Sequence, residues 1–254
     1  MKSSTPPFQI KICGLTKPQQ AVDARTAGAD AIGLNFFETS IRYVAPDQAL
    51  AIAQATRFKS GTSDQRTPQP SPPQIVGVFV NHSIDEIIRL AITIGLDGIQ
   101  LHGDETIDFF KDLKQALTEQ FKSVQPFFVR ALRTQPKTDQ DSDDRELEIQ
   151  RITDQIQAWS AAGVDTILLD AAATGEFGGT GKSIDWALMP QLQASSGRPL
   201  ALAGGLTPAN VGRALQVSQV NIVDVASGVE SPKGVKCPDL VKQFVHQART
   251  ALNR

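Results

Sequence analysis

The stretches LAGGL (residues 202–206) and VASGVE (225–230) decide the fold. Each closes an apolar, β-prone run with glycine, and each leads into a candidate helix start. Working outward, similar runs recur at Phe8–Cys13, Ala31–Phe36, Ile75–Val80, Gly98–His102, Phe127–Leu132, Thr166–Asp170, Pro199–Ala203 and Ile222–Ala226. Several, such as IVGVFV (75–80) and TILLDA (166–171), are apolar at successive positions, the pattern of parallel strands buried on both faces. Between the runs lie helical patterns at 17–28, 46–58, 83–95, 104–118, 144–162, 183–194, 207–217 and 238–252.

Start and stop signals support this alternation. Asn81 and Ser83 precede IDEIIRLAITIG, Asp104 precedes ETIDFFKDLKQAL, and Thr207-Pro208 sets a capping hydroxyl before a proline. AGAD, IGLD and AAGVD each place glycine just before the next run, where a helix C-terminus prefers it. Eight strand–helix units averaging about 32 residues fit the length of a (β/α)8 barrel. A doubly wound sheet would carry its glycine fingerprint after the first strand, where this chain reads KICGLT (11–16). The glycines come after the seventh and eighth strands instead, where barrels build phosphate sites. The expected fold is α/β, a single (β/α)8 TIM barrel spanning residues 1–254.

Composition narrows the function. With 25 basic and 27 acidic side chains the formal net charge is −2, so neither nucleic acid nor a membrane surface has electrostatic support as a partner. No run approaches the roughly 20 apolar residues of a membrane span, and MKSSTPPFQI lacks the apolar region of a signal peptide. Two distant cysteines, Cys13 and Cys237, form neither a disulfide framework nor a zinc cluster. A cytoplasmic, metal-free protein is expected, and no subunit interface is legible. SGTSDQRTPQPSPP (60–73), joining a helix to a strand, reads as a flexible loop on the face away from the chemistry. TQPKTDQDSDD (134–144) follows the fifth strand and reads as a solvated loop or a lid.

In a barrel the side chains at the C-terminal strand ends meet the ligand. Here these are Cys13, Asn35, His102, Arg130 and Asp170, with Gly204, Gly205 and Gly228 after the last two strands. Cys13 is either a small buried apolar residue or a thiol whose lowered pKa suits a base or nucleophile. Asp170 closes an otherwise apolar strand, where an unpaired carboxylate is costly, and so reads as a general acid or base, or as a loop brace. The glycine ends would present backbone N–H groups to a phosphate at Thr207-Pro208 and at a short helix near Glu230–Gly234. GEFGGTGKS (175–183) has Glu176 where a nucleotide loop needs glycine, and reads instead as a flexible loop closing over the site. His102 either braces its loop or touches substrate. Arg42 is either a surface arginine or a bidentate clamp for a carboxylate.

Taken together, KICGLT (11–16), IRYV (41–44), VGVFVN (76–81), QLHGDE (100–105), LLDA (168–171), GGTGKSIDW (178–186), LAGGLTPANV (202–211) and DVASGVE (224–230) resemble phosphoribosylanthranilate isomerases of tryptophan biosynthesis. The pieces fall in order over roughly residues 8–250. The resemblance implies a barrel isomerase that turns N-(5′-phosphoribosyl)anthranilate into 1-(2-carboxyphenylamino)-1-deoxyribulose 5′-phosphate without metal or organic cofactor. It implies Asp170 as general acid, Cys13 as thiolate general base and Arg42 as the holder of the substrate carboxylate. Gly204, Gly205, Gly228 and Val229 then correspond to the phosphate-binding backbone. Ile41 stands where the family often has proline, and Ala226 where serine is frequent. A lysine-using phosphosugar barrel such as indole-glycerol-phosphate synthase fits less well, because no lysine closes a strand. A non-catalytic binding barrel would lack the acid or the base.

Overall fold

Successive strand residues point to opposite faces, so a closed sheet sorts each strand between two cores. In the computed structural model, which describes residues 6–58, 71–121, 125–134, 142–171 and 185–253, that sorting is complete. The strands are β1 (Ile10–Cys13), β2 (Ala31–Asn35), β3 (Gln74–Phe79), β4 (Gly98–Leu101), β5 (Phe127–Thr134), β6 (Thr166–Ala171), β7 (Leu200–Leu202) and β8 (Val223–Val225). They pair in parallel, each with the next, and β8 closes on β1. The helices are α1 (Pro18–Ala27), α2 (Pro46–Arg57), α3 (Ile84–Ile94), α4 (Ile107–Gln120), α5 (Ser142–Ala162), α6 (Met189–Ser195), α7 (Val211–Ser218) and α8 (Pro238–Leu252). The barrel expected from the glycine-ended strands is the fold found.

Ala31, Val76, Val129, Ala131, Leu168 and Ala201 fill the barrel interior above a floor of Phe8 and Ile222. Their strand neighbours, such as Ile32, Ile75, Phe128 and Ile167, pack outward against the helices. No helix among the described residues is long and apolar enough to cross a membrane.

The glycine-aspartate signals have a double use. Gly28, Gly95 and Gly163 take the left-handed conformation just beyond the ends of α1, α3 and α5. The aspartates that follow tie down neighbouring strands: Asp30 accepts from the Ile10 N–H, Asp97 from Ile75 and Asp165 from Phe128, at 2.7–2.9 Å. These carboxylates supply partners for backbone donors at the bottom of the barrel, where no ladder bond reaches them.

Several expected boundaries shift. Ser83 caps α3 by accepting from Glu86, whereas Asn81, at φ 55°, accepts from the Asp104 N–H and so ties two loops together. The cap of α4 is Thr106, not Asp104, because its hydroxyl accepts from Phe109 N–H. Thr207-Pro208 opens a turn rather than α7: Asn210 Oδ1 takes the Thr207 N–H, and the helix begins at Val211. At the pattern 183–194, a 3-10 turn at Trp186–Leu188 precedes α6, with the Asp185 side chain accepting from Ala187. The short helix expected near Glu230–Gly234 is a 3-10 turn at Ser227–Val229, ahead of that position. Of the expected loops, 60–73 lies outside the described residues up to 70, and 134–144 does so over 135–141. The glycine loop lies outside them over 175–183.

Arg130 is corrected more substantially. β5 runs on to Thr134, so Arg130 is mid-strand and faces the helices. There it donates to Glu105 at 2.6 Å and to the Gly103 carbonyl at 3.1 Å, and its guanidinium lies 4.6 Å from the Trp159 ring centre. Glu105 also accepts from the Asn81 and Gly103 N–H groups, so the pair clasps the β3 and β4 loops. Breaking a buried ion pair strands its partner charge, so Glu105→Ala is expected to lower stability by about 3–5 kcal/mol in urea titrations.

Candidate active site

The inward parity that fills the barrel also places the chemistry. Cys13 follows Lys11, His102 follows Gln100 and Asp170 follows Leu168, each two residues along the same inward face. Their ends surround a cavity of about 720 Å³, reckoned out to solvent. Cys13, Asn35, Arg42, His102, Asp170, Gly204 and Gly205 all line it, with Gln100, Asp224, Ala226 and Ser227. β6 lies three strands from β1 around the closed sheet, so Asp170 and Cys13 enter from different sides.

Asp170 is buried, with His102 Nε2 standing 3.4 Å from its Oδ2. That approach is a close contact without hydrogen-bond alignment, since His102 Nε2 has no aligned partner among the described residues. The Gln100 amide nitrogen lies 2.8 Å from His102 Nδ1, which holds the ring with Nε2 towards the carboxylate. His102 therefore both braces its strand end and reaches the cavity.

Cys13 does not show the lowered thiol pKa expected from its position. Burial pushes the thiol up; Lys11 pulls it down, Asp224 pushes it up and Lys236 pulls it down. The next residue, Gly14, has φ 78°, and a Cβ there would lie 2.5 Å from Arg42 Cδ. Glycine at this position both turns the chain outward and leaves a path for the arginine stem.

Arg42 is buried, so the reading as a surface arginine fails. Glu230 takes two of its five N–H donors, Nε at 2.6 Å and Nη2 at 2.8 Å. Lys236 Nζ also donates to Glu230 at 2.6 Å, and the Gly234 N–H at 2.9 Å. The structure shows what surrounds the two departures from the family pattern. With Ile41 in place of proline, Arg42 is held by Glu230 and by the Ser40 hydroxyl accepting its N–H. Beside Ala226, whose side chain offers no hydroxyl, Lys236 donates to the Ala226 carbonyl at 3.0 Å.

The glycine ends divide. Gly204 and Gly205 are successive left-handed residues on the cavity wall. Gly228 and Val229 belong to the 3-10 turn behind Ser227, outside the cavity lining. Gly228 is needed for close packing, because a Cβ there would sit 1.7 Å from the Leu206 carbonyl oxygen. Lys11, Gln100, Asp224, Glu230 and Lys236 were missed in the sequence. The first three could have been found as polar residues at inward positions of otherwise apolar strands.

A parallel (β/α)8 barrel whose strand ends carry ionisable groups around one cavity is the architecture of a barrel enzyme. Comparison with known proteins narrows the class. Residues 10–247 match the family described as N-(5′-phosphoribosyl)anthranilate (PRA) isomerase, and the chain belongs to that family. The N-(5′-phosphoribosyl)anthranilate isomerase of Acinetobacter calcoaceticus is 37% identical over 238 residues, 93% of this chain and 94% of the relative. That of Pseudomonas aeruginosa strain UCBPP-PA14 is 38% identical, covering 96% and 97%. Among solved structures, phosphoribosyl anthranilate isomerase from Thermotoga maritima superposes with a TM-score of 0.73 at 30% identity, covering 96% of this chain and 99% of that one. A phosphoribosyl anthranilate isomerase in complex with reduced 1-(o-carboxyphenylamino)-1-deoxyribulose 5-phosphate gives 0.70 at 28% identity, with the same coverage.

The Glu230 hub carries a pH dependence. Burial opposes its charge, but hydrogen bonds from Arg42 and the ammonium of Lys236 outweigh that and hold its carboxyl at about 2. A carboxyl depressed on folding contributes stability above its unfolded value and loses it as pH falls through the folded one. The stability advantage of the wild type over Glu230→Gln is therefore expected to be constant above about pH 4.5 and to shrink towards pH 2. Denaturant midpoints across that range check it.

Proposed function

We propose that this barrel converts N-(5′-phosphoribosyl)anthranilate into 1-(2-carboxyphenylamino)-1-deoxyribulose 5′-phosphate, with Asp170 as general acid and Cys13 as general base. Family membership over residues 10–247 supports the reaction. The single observation supporting the residue roles is that a strand-end carboxyl and a strand-end thiol face one cavity from β6 and β1.

The reaction needs the ribose ring opened and a proton removed from C2′. Asp170, entering in its acid form, gives its proton to the ring oxygen; the ring C–O bond breaks and an iminium cation forms at C1′. That cation acidifies the C2′ proton and, lying beside the sulfur, favours the thiolate over the buried thiol. The thiol gives its own proton to solvent at the open mouth, and the thiolate takes the C2′ proton and so returns to the thiol form. The resulting enolamine tautomerises to the ketone, and solvent returns a proton to Asp170. A thiol whose proton affinity is raised by burial makes a strong base once ionised. His102 orients the Asp170 carboxyl from 3.4 Å.

Arg42 receives the anthranilate carboxylate on donors left by Glu230, which fixes the plane of the guanidinium. Gly204 and Gly205 offer backbone N–H groups to the 5′-phosphate, and Gly228 and Val229 complete that cradle through the turn that presents Ser227. Residues 1–254 serve as one cytoplasmic barrel domain acting on a small phosphorylated substrate, without metal or organic cofactor and without nucleic-acid or membrane partners.

Cys13→Ala and Asp170→Asn are each expected to lower kcat at least ~100-fold with the fold intact. Arg42→Ala is expected to act mainly through KM, raising it at least ~10-fold. The decisive assay follows the loss of phosphoribosylanthranilate fluorescence with a chelator present. Near-wild-type turnover in either of the first two variants would remove the role assigned to that residue, and no turnover by the wild type would remove the reaction itself.

A further inference from the structure

Between the apolar barrel floor and the cavity lies a charged layer that the acid–base chemistry does not use. Lys11 on β1 and Asp224 on β8 are cross-strand neighbours in register, both facing inward. Their side chains meet at 3.0 Å, with Lys11 wholly buried and Asp224 exposing 8% of its side chain. Asp224 forms part of the cavity wall, and its second oxygen, Oδ1, is buried without a hydrogen-bond partner among the described residues. Cys13 stands directly above Lys11, two residues on along the same face of β1.

This layer is a poor way to fill a barrel. The interior positions around it include Ala31, Val76, Leu168 and Ala201, and apolar side chains at 11 and 224 would continue that packing. Replacing a buried ion pair by apolar residues is often neutral or stabilising, so stability alone does not account for a lysine here. One Asp224 oxygen does not exhaust an ammonium with three donors. The Lys11 charge also acts on the Cys13 sulfur, two residues on along the same face of β1. Gly33 on β2 leaves the space that the sulfur occupies, since a Cβ there would lie 2.6 Å from Cys13 Sγ.

We propose that Lys11 and Asp224 are positioning residues for the base: one ammonium is shared between the Cys13 sulfur and the Asp224 carboxylate, so that Lys11 holds the thiolate and Asp224 competes for Lys11. The inference rests on Cys13 being the base and extends that reading to how the base is ionised at the inner face of β1. Burial raises the thiol, Lys11 opposes that, and Asp224 reinforces it, the signs the arrangement requires. The other charged groups around the sulfur are Lys236 and Arg42, both held by Glu230. Across the cavity stand His102 and Asp170.

The test reads the thiol directly. In a Cys237→Ser background, where Cys13 is the one thiol, iodoacetamide alkylation follows the thiolate fraction. Lys11→Met is expected to slow alkylation at neutral pH at least ~10-fold. Asp224→Asn, which keeps the lysine and removes its competitor, is expected to speed it. In turnover, the ascending limb of the kcat–pH profile should move up in Lys11→Met and down in Asp224→Asn, with KM little changed. Opposite shifts support the proposal. Unchanged rates in both variants, or changes of the same sign, overturn it. If Lys11→Met does not fold, the direction of the Asp224→Asn shift still decides. Failure of the base assignment is seen separately, as persistent turnover in Cys13→Ala, whereas the alkylation rates report the lysine–thiol coupling whatever the thiol does in catalysis.

Discussion

Closure of the parallel sheet is the constraint on which the rest depends. Once β8 pairs with β1, every strand has an inner and an outer face, and a residue's parity determines whether it can meet a ligand. Lys11 and Cys13 share the inner parity of β1, while Ile10 and Ile12 share the outer one and pack beneath the helices. Arg130 shows the same rule from the opposite side. It is a strong cation on a barrel strand, but its outer parity sends it to Glu105 and Trp159, so it clasps loops and stays out of the cavity.

Charge buried inside such a barrel must be organised in advance, because burial removes it from bulk water. The site uses two separate arrangements. Around Glu230, one carboxylate gathers Arg42, Lys236 and the Gly234 N–H, which leaves the guanidinium fixed at the cavity wall. Below Cys13, the Lys11 ammonium meets the Asp224 carboxylate. In each case a group that touches the cavity is held by one that lies deeper or further around the mouth. The roles assigned to Cys13, Asp170 and Arg42 depend on these holders.

The alternation of elements was legible because each strand is an apolar run and several helices end on glycine, both local properties. The sites of Cys13 and Asp170 were legible for a related reason: a polar group that ends an apolar strand has few structural explanations. Boundaries were less legible where two caps competed. Asp104 and Thr106 both suit a helix start, and the choice was made by Asn81, a residue on another loop. Glu230 was invisible as a partner because its meaning comes from Arg42, 188 residues away. The packing role of Gly228, where a Cβ would meet the Leu206 carbonyl, was also invisible in the sequence, because it depends on a separate loop.

The thiol shows most clearly why a sequence position does not determine chemistry. A strand-end cysteine suggests an exposed, acidified sulfur, but here the residue is half-buried at the cavity wall, and the loss of solvent around the thiol outweighs the neighbouring ammonium. A base of this kind is mostly protonated at rest and becomes effective when positive charge develops nearby. Opening of the ribose ring supplies that charge at the step where the proton must leave C2′. The resting state therefore keeps the sulfur protonated and less reactive towards other electrophiles. The reactive form appears when the substrate has already been protonated and opened, which couples the base on β1 to the acid on β6 through the substrate itself.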